Sequence, residues 1–93
     1  MAAALEGELS FARVPHWLAQ ADALAGAGTL DLSRVTRADS AGLALLLELR
    51  RRARAAGQAL RFAAAPPQLT GLAAFFGLHD VLALEPAVAP PTP

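Results

Sequence analysis

The apolar positions of this chain switch between a two-residue and a three-to-four-residue period, and each switch marks an element. Leu5-Glu6-Gly7-Glu8-Leu9-Ser10-Phe11 alternates and places Leu5, Gly7, Leu9 and Phe11 on one face. It predicts a first strand, weakened at Gly7. Val14-Pro15-His16-Trp17-Leu18 then opens a helix with proline near its first position, where the missing amide costs nothing. Trp17, Leu18, Ala21 and Leu24 recur at helical spacing, and Gly26-Ala27-Gly28 ends the run. Thr29 to Ser33 reads as a second strand built on Leu30 and Leu32, with Val35 at its margin. A short polar turn follows and ends in Asp39-Ser40-Ala41-Gly42.

From Ser40 to Ala56 the residues are good helix formers with no β-branched side chain. Ser40 stands where an N-cap belongs. Gly57 stands at the C′ position, with Arg50, Arg51, Arg52 and Arg54 in the preceding turns, where cations suit the helix dipole. Ala59 to Ala64 predicts a third strand, and Pro66-Pro67 a turn. Gln68 to Phe76 predicts a third helix, with Leu69, Leu72, Ala73 and Phe76 on one face and Gly77 at its end. Val81-Leu82-Ala83-Leu84 reads as a short last strand. Strands alternating with helices at these lengths imply a mostly parallel sheet joined by helical crossovers. One domain is expected over residues 5–84. Residues 85–93, with four prolines, are expected to form a disordered tail.

At about 100° per residue, the long helix carries two stripes. Gly42, Leu45, Leu46, Leu49, Ala53 and Ala56 form the one assigned to the sheet. Ser40, Leu43, Leu47, Arg50, Arg51 and Arg54 form the other. This second stripe has an apolar centre and a basic rim, as protein interfaces often have. A neighbouring helix covering the leucines would explain it equally well.

Composition narrows the function. Ninety-three residues bury a single modest core. There is no cysteine, so no disulfide, cysteine metal site or thiol nucleophile exists. Eight arginines balance eight acids with no lysine, and a net charge of zero argues against non-specific nucleic-acid binding. The first residues lack the features of a secretory signal. The longest apolar run, Ala41 to Leu47, is far short of the roughly 20 residues that span a bilayer. A cytoplasmic protein that meets a membrane only through a partner is expected.

No catalytic constellation stands out. His16 and His79 lie far apart in sequence, outside any metal-ligand spacing. Glu6 and Glu8 share one strand face directed at solvent. No phosphate-binding glycine loop is present, since Gly26-Ala27-Gly28 precedes a strand rather than a helix. Catalysis, a metal and a cofactor are therefore not expected. Ser40 has two readings: a helix cap, worth about 1 kcal/mol, or a phosphoacceptor that would place nearly two negative charges on a binding surface beside Asp39.

The strand Leu30-Asp31-Leu32-Ser33 followed by Asp39-Ser40-Ala41-Gly42-Leu43 resembles the signature of STAS domains, the modules shared by sulfate transporters and anti-sigma factor antagonists. The resemblance implies a single α/β domain with a mixed sheet of about four strands and helices mainly on one side. Gly7-Glu8-Leu9-Ser10-Phe11, Ala41-Gly42-Leu43-Ala44-Leu45-Leu46-Leu47 and Leu72-Ala73-Ala74-Phe75-Phe76-Gly77-Leu78 are most similar to the small STAS subunits of bacterial Mla phospholipid-transport ABC complexes. That implies a non-catalytic subunit which binds the complex's ATPase at the cytoplasmic side of the inner membrane. Those subunits often carry threonine where this chain has Ser40. The serine keeps a second reading open, an anti-sigma factor antagonist whose Ser40 is phosphorylated by a partner kinase. A nucleotide-binding STAS module would have only the backbone amides near Ser40 to offer.

Overall fold

The computed structural model describes residues 2–86. Two short strands, β1 (Ala2–Ala4) and β2 (Gly7–Leu9), precede two short helices, α1 (Val14–Leu18) and α2 (Ala21–Ala25). The strands β3 (Thr29–Asp31) and β4 (Val35–Ala38) lead into the long helix α3 (Ser40–Ala55). Strand β5 (Arg61–Ala63) and the helices α4 (Pro67–Phe75) and α5 (His79–Leu82) complete the chain.

The strands form a three-stranded sheet in the order β1-β3-β5 and a two-stranded sheet of β2 with β4. Every pairing among the described strands is parallel, as helical crossovers between successive strands require. The two sheets are stitched together. Leu5 N donates to Asp31 O at 3.1 Å and Gly7 N to Arg34 O at 3.0 Å, so the first strand runs from one sheet into the other. The break falls at Gly7, whose φ of +88° an L side chain rarely adopts. Beside it the register slips, with Gly7 opposite Val35 and Glu8 opposite Arg37, a bulge that bends the strand.

The core gathers Leu5, Leu9, Leu30, Leu32, Leu46, Leu49 and Phe62, all fully buried, with α3 packed against α1, α2, β2 and β4. Trp17 closes one side, its indole N–H donating to Glu8 O at 3.1 Å.

Several expectations are corrected. Phe11 does not continue the inward face of the first strand. The strand ends at Leu9, Ser10 O accepts from the Arg13 and Val14 amides in a turn, and the Phe11 ring is 80% exposed. The first helix is two helices, because the chain leaves helical geometry at Gln20 (φ −113°, ψ 12°). Trp17, Ala21 and Leu24 keep their shared buried face, while Leu18 turns outward. The polar turn before Asp39 contains β4, unpredicted because Thr36 and Arg37 are exposed and only Val35 signals burial. Ala56 is exposed, and Phe76 is largely so. The expected strand Val81–Leu84 is instead the end of α5, which starts afresh after Gly77 (φ +72°) with Leu82 N donating to Leu78 O at 2.9 Å. Strand-like pairing comes just after it. Glu85 N donates to Phe62 O at 2.9 Å, Ala65 N to Glu85 O at 2.7 Å, and Pro86 bridges to Ala65. Short apolar runs do not distinguish helix from strand by periodicity. Residues 87–93 of the proline-rich tail lie outside the described residues.

Candidate interaction surface

The turn from β4 into α3 divides its labour residue by residue. Asp39, not Ser40, is the N-cap. Its backbone is still extended (φ −128°, ψ −173°), and its Oδ1 accepts from the Ala41 and Gly42 amides at 3.0 and 3.2 Å. Its other oxygen accepts the Phe11 amide at 3.1 Å, which ties the loop after β2 to the start of α3. The Phe11 N–H foremost, then the Gly42 and Ala41 amides, hold the Asp39 carboxyl below the usual carboxylate range.

Gly42 lets α3 lie against β2. A Cβ there would sit 2.7 Å from the Leu9 Cβ and 2.8 Å from the Leu9 carbonyl carbon, closer still to that carbonyl's oxygen, and no real side chain tolerates this. Ser40, already helical, is exposed, and its hydroxyl has no hydrogen bond among the described residues. Asp39 accepts three backbone amides, and among the described residues it accepts no hydrogen bond from that hydroxyl.

An apolar groove of about 420 Å³ opens near the start of α3, walled by Phe11, Val14, Pro15 and Leu18 on one side and Ala41, Ala44, Leu45 and Glu48 on the other. It runs between α1 and α3. The sequence had placed Phe11 and Leu18 in the core. The available signal was Pro15, which marks the start of α1 and leaves only Ser10 to Arg13 for the turn after β2.

The predicted second stripe of α3 does not stay together. Leu43 is only 1% exposed and belongs to the core. The helix is flanked by α1 and α2 on one side and reached by α5 on the other, so its buried arc is wider than one stripe. Leu47 is half-buried against the core. Arg50 is a brace. Its guanidinium donates to Val81 O at 3.0 Å, to Leu82 O and to Leu60 O at 2.8 Å, and lies 4.5 Å from the centre of the Phe62 ring. Burial foremost, and then nearby Arg54, lower its pKa from the ordinary arginine value. Arg51 and Arg52 both grip Glu48, at 2.8 and 2.7 Å, and pull its carboxyl down to about 2. Arg54 is exposed and has no ion pair among the described residues.

The other candidate groups lie apart from this surface. His16 packs edge-on to Trp17 and meets Gln20, and His79 begins α5. Glu6 pairs with Arg34, whereas Glu8 is half-buried and accepts the Ser10 hydroxyl. Among the described residues no cluster of three or more His, Cys, Asp or Glu could hold a metal ion, and no helix is long and apolar enough to cross a membrane.

The fold is shared with known structures. The unphosphorylated anti-sigma factor antagonist SpoIIAA superposes with a TM-score of 0.65 at 23% identity, over 83% of this chain and 71% of that one. A sulfate transporter family protein from Wolinella succinogenes superposes with a TM-score of 0.69 at 20% identity, over 87% of this chain and 69% of that one. Comparison with curated proteins gives no match. The sequence model described as "Mlab, STAS domain" matches residues 2–86, which is every residue that builds the two sheets, the Asp39 cap and the groove. The chain therefore belongs to the Mlab-type STAS domain family.

Proposed function

We propose that this chain is a non-catalytic STAS subunit that binds and supports the ATPase of a bacterial Mla-type phospholipid-transport ABC complex, the machinery that maintains outer-membrane lipid asymmetry. The observation that carries the reading is the Mlab STAS match over residues 2–86. STAS domains are in general interaction modules rather than catalysts. The surface here suits that role, because an exposed aromatic ring walls an apolar groove and an uncommitted serine hydroxyl stands one residue before Ala41 of that groove. We assign the partner contact to Ser40 and the groove, with Leu47, Arg50, Arg51 and Arg54 further along the same helix. Leu43 supports this surface from beneath. In such a complex the chain sits at the cytoplasmic face of the inner membrane, held there by its partner.

The experiment is ATPase activity of the reconstituted transporter with and without this subunit. Ser40→Ala supports activity nearly as well as the parent. Ser40→Asp impairs it without any kinase, because a carboxylate beside an apolar contact must be desolvated. Phe11→Ser weakens co-purification at least tenfold while leaving the melting temperature within a few degrees. ATPase activity indifferent to the subunit, with no co-purification, would overturn the reading.

One observation favours a second reading, a phosphorylation-switched anti-sigma factor antagonist with a kinase as partner. The Ser40 hydroxyl is exposed and is not used as the cap. A phosphate there would meet the positive end of α3 and also the Asp39 carboxylate. Stoichiometric phosphate on Ser40 in cells, with no transporter ATPase co-purifying, decides for it.

A further inference from the structure

On a different side of α3 from the groove, two adjoining hollows share Arg50, Arg54 and Val81. One, of about 170 Å³, is completed by Leu47 and Arg51. The other, of about 420 Å³, is completed chiefly by Gln58, Leu60 and Ala83. Together they make a trough between the C-terminal half of α3 and the end of α5.

Its charge is uncompensated. Arg51 is held by Glu48, but Arg50 and Arg54 face the trough with no carboxylate partner among the described residues. No acidic residue lines either hollow, and Glu48, Asp22, Glu6 and Glu85 are engaged by other arginines. The two cations stand four residues apart on one helix, a like-charge spacing that destabilises a helix. They feel each other, since proximity to Arg54 contributes to lowering Arg50. In a protein whose formal net charge is zero, this is a local excess of positive charge.

The walls are apolar. Val81 is 58% exposed, and Leu47 and Ala83 flank the arginines. A small inorganic anion would use only the guanidinium groups and leave the apolar walls wet. A polypeptide with acidic residues next to apolar ones would use both.

We infer that the Arg50–Arg54–Val81 trough is a second docking site, and that its occupant is an acidic, apolar-interleaved segment of a protein partner. Arg54 supplies the free guanidinium that pairs with a carboxylate. Arg50, braced on three carbonyls, supplies fixed positive charge. Leu47 and Val81 receive the neighbouring apolar side chain. The inference rests on the partner contact proposed above at Leu47, Arg50, Arg51 and Arg54 and deepens it by naming the chemistry that end of the surface takes, while the Phe11 groove is tested separately.

The test is titration of the full chain with the peptide acetyl-Glu-Leu-Glu-Val-Glu-amide, followed by backbone amide NMR shifts. The reference probes are acetyl-Gln-Leu-Gln-Val-Gln-amide and inorganic phosphate. Saturable shifts are expected at Arg54, Gln58, Val81 and Ala83, with affinity falling as salt is raised. Arg54→Gln, an exposed change that leaves the melting temperature unaltered, should weaken binding at least tenfold, and Arg54→Lys should recover part of it. Phe11→Ser should leave it unchanged, so failure of this site and failure of the groove reading are told apart. The inference is overturned if the glutamine peptide binds equally well, if phosphate binds at the same sites as tightly as the acidic peptide, or if no saturable shift appears in the trough.

Discussion

Gly42→Ala isolates the contact on which the fold and the surface both depend. In an exposed helix, replacing glycine by alanine stabilises by about 1 kcal/mol, since glycine loses more backbone freedom on folding. At Gly42 the added methyl would meet the carbonyl group and Cβ of Leu9, at 2.8 Å from the carbonyl carbon. Those atoms cannot swing aside. Leu9 is paired to Ala38 within the β2–β4 ladder, and its carbonyl accepts the Asp39 amide at 3.1 Å. The first turn of α3 must retreat from β2, which strains the Asp39 cap and opens the packing over Leu9. Overpacking of this kind costs about 1–3 kcal/mol and sometimes more. Because a backbone carbonyl is the obstacle, the top of that range applies, and a net loss of about 2 kcal/mol is expected after the propensity gain. For a domain of this size, that lowers Tm by about 8–16 °C. Gly71→Ala is the control. Gly71 lies within α4, is exposed, and a Cβ there meets nothing within 4 Å. It should raise stability by about 0.5–1 kcal/mol. Thermal melts of the two variants should therefore move in opposite directions. A Gly42→Ala Tm within about 4 °C of the parent would refute the close approach of α3 to β2.

The remaining predictions probe cap, core, brace and acid response. Asp39→Ala should cost about 1–2 kcal/mol, and Ser40→Ala should be nearly neutral; chemical denaturation that reverses this order would return the cap to Ser40. Leu46→Asp should prevent folding, since Leu46 is fully buried, while Leu47→Asp should leave a folded but weakened domain, as circular dichroism melts can show. Arg50→Met should cost about 2–4 kcal/mol by leaving the Val81, Leu82 and Leu60 carbonyls without their charged donor, read from denaturant midpoints. Glu48, Asp39, Asp31 and Glu85 all have lowered carboxyl pKa values in the folded chain. Their contribution is thus complete above the unfolded value of about 4 and fades as pH falls toward about 2. Tm should stay level from neutral pH to about 5 and then drop, and a Tm unchanged down to about pH 2.5 would contradict the assignment.

What the sequence disclosed, and what it concealed, follows from how far each signal reaches. The long helix was legible because propensity, capping chemistry and apolar period all agree between Ser40 and Ala56, and Gly57, at φ +73°, ends it as expected. The strands around Leu30 and Phe62 were legible for the same reason. β4 was not, because an exposed Thr36-Arg37 pair carries no apolar alternation. Phe11 and Leu43 were misplaced in opposite senses. Local alternation put Phe11 inside, although the turn after Leu9 directs it outward. Helical projection put Leu43 outside, although α3 is enclosed over a wider arc than the sheet alone would bury. Both errors arise from tertiary neighbours, which one-dimensional periodicity does not contain. Arg50 shows the same limit. Its place among cations near a helix end was readable, but its three carbonyl acceptors come from α5 and from the approach to β5.

The Asp39–Gly42 turn shows how a short motif can set the geometry of a surface. Asp39 satisfies two amides of α3 and one from the loop after β2, so the groove-bearing Phe11 is fixed relative to the helix. Gly42 sets how closely that helix approaches β2. With structure assigned to these two positions, Ser40 is left exposed and the half-buried Ala41 lines the groove. On the two readings proposed above, the same geometry would serve a partner that reads an unmodified serine or one expelled by a phosphate. What differs between them is the partner's tolerance of negative charge at Ser40. That is why Ser40→Asp, which needs no kinase, tests the contact itself, whereas phosphate on Ser40 of the native chain, found without a co-purifying ATPase, separates the two readings.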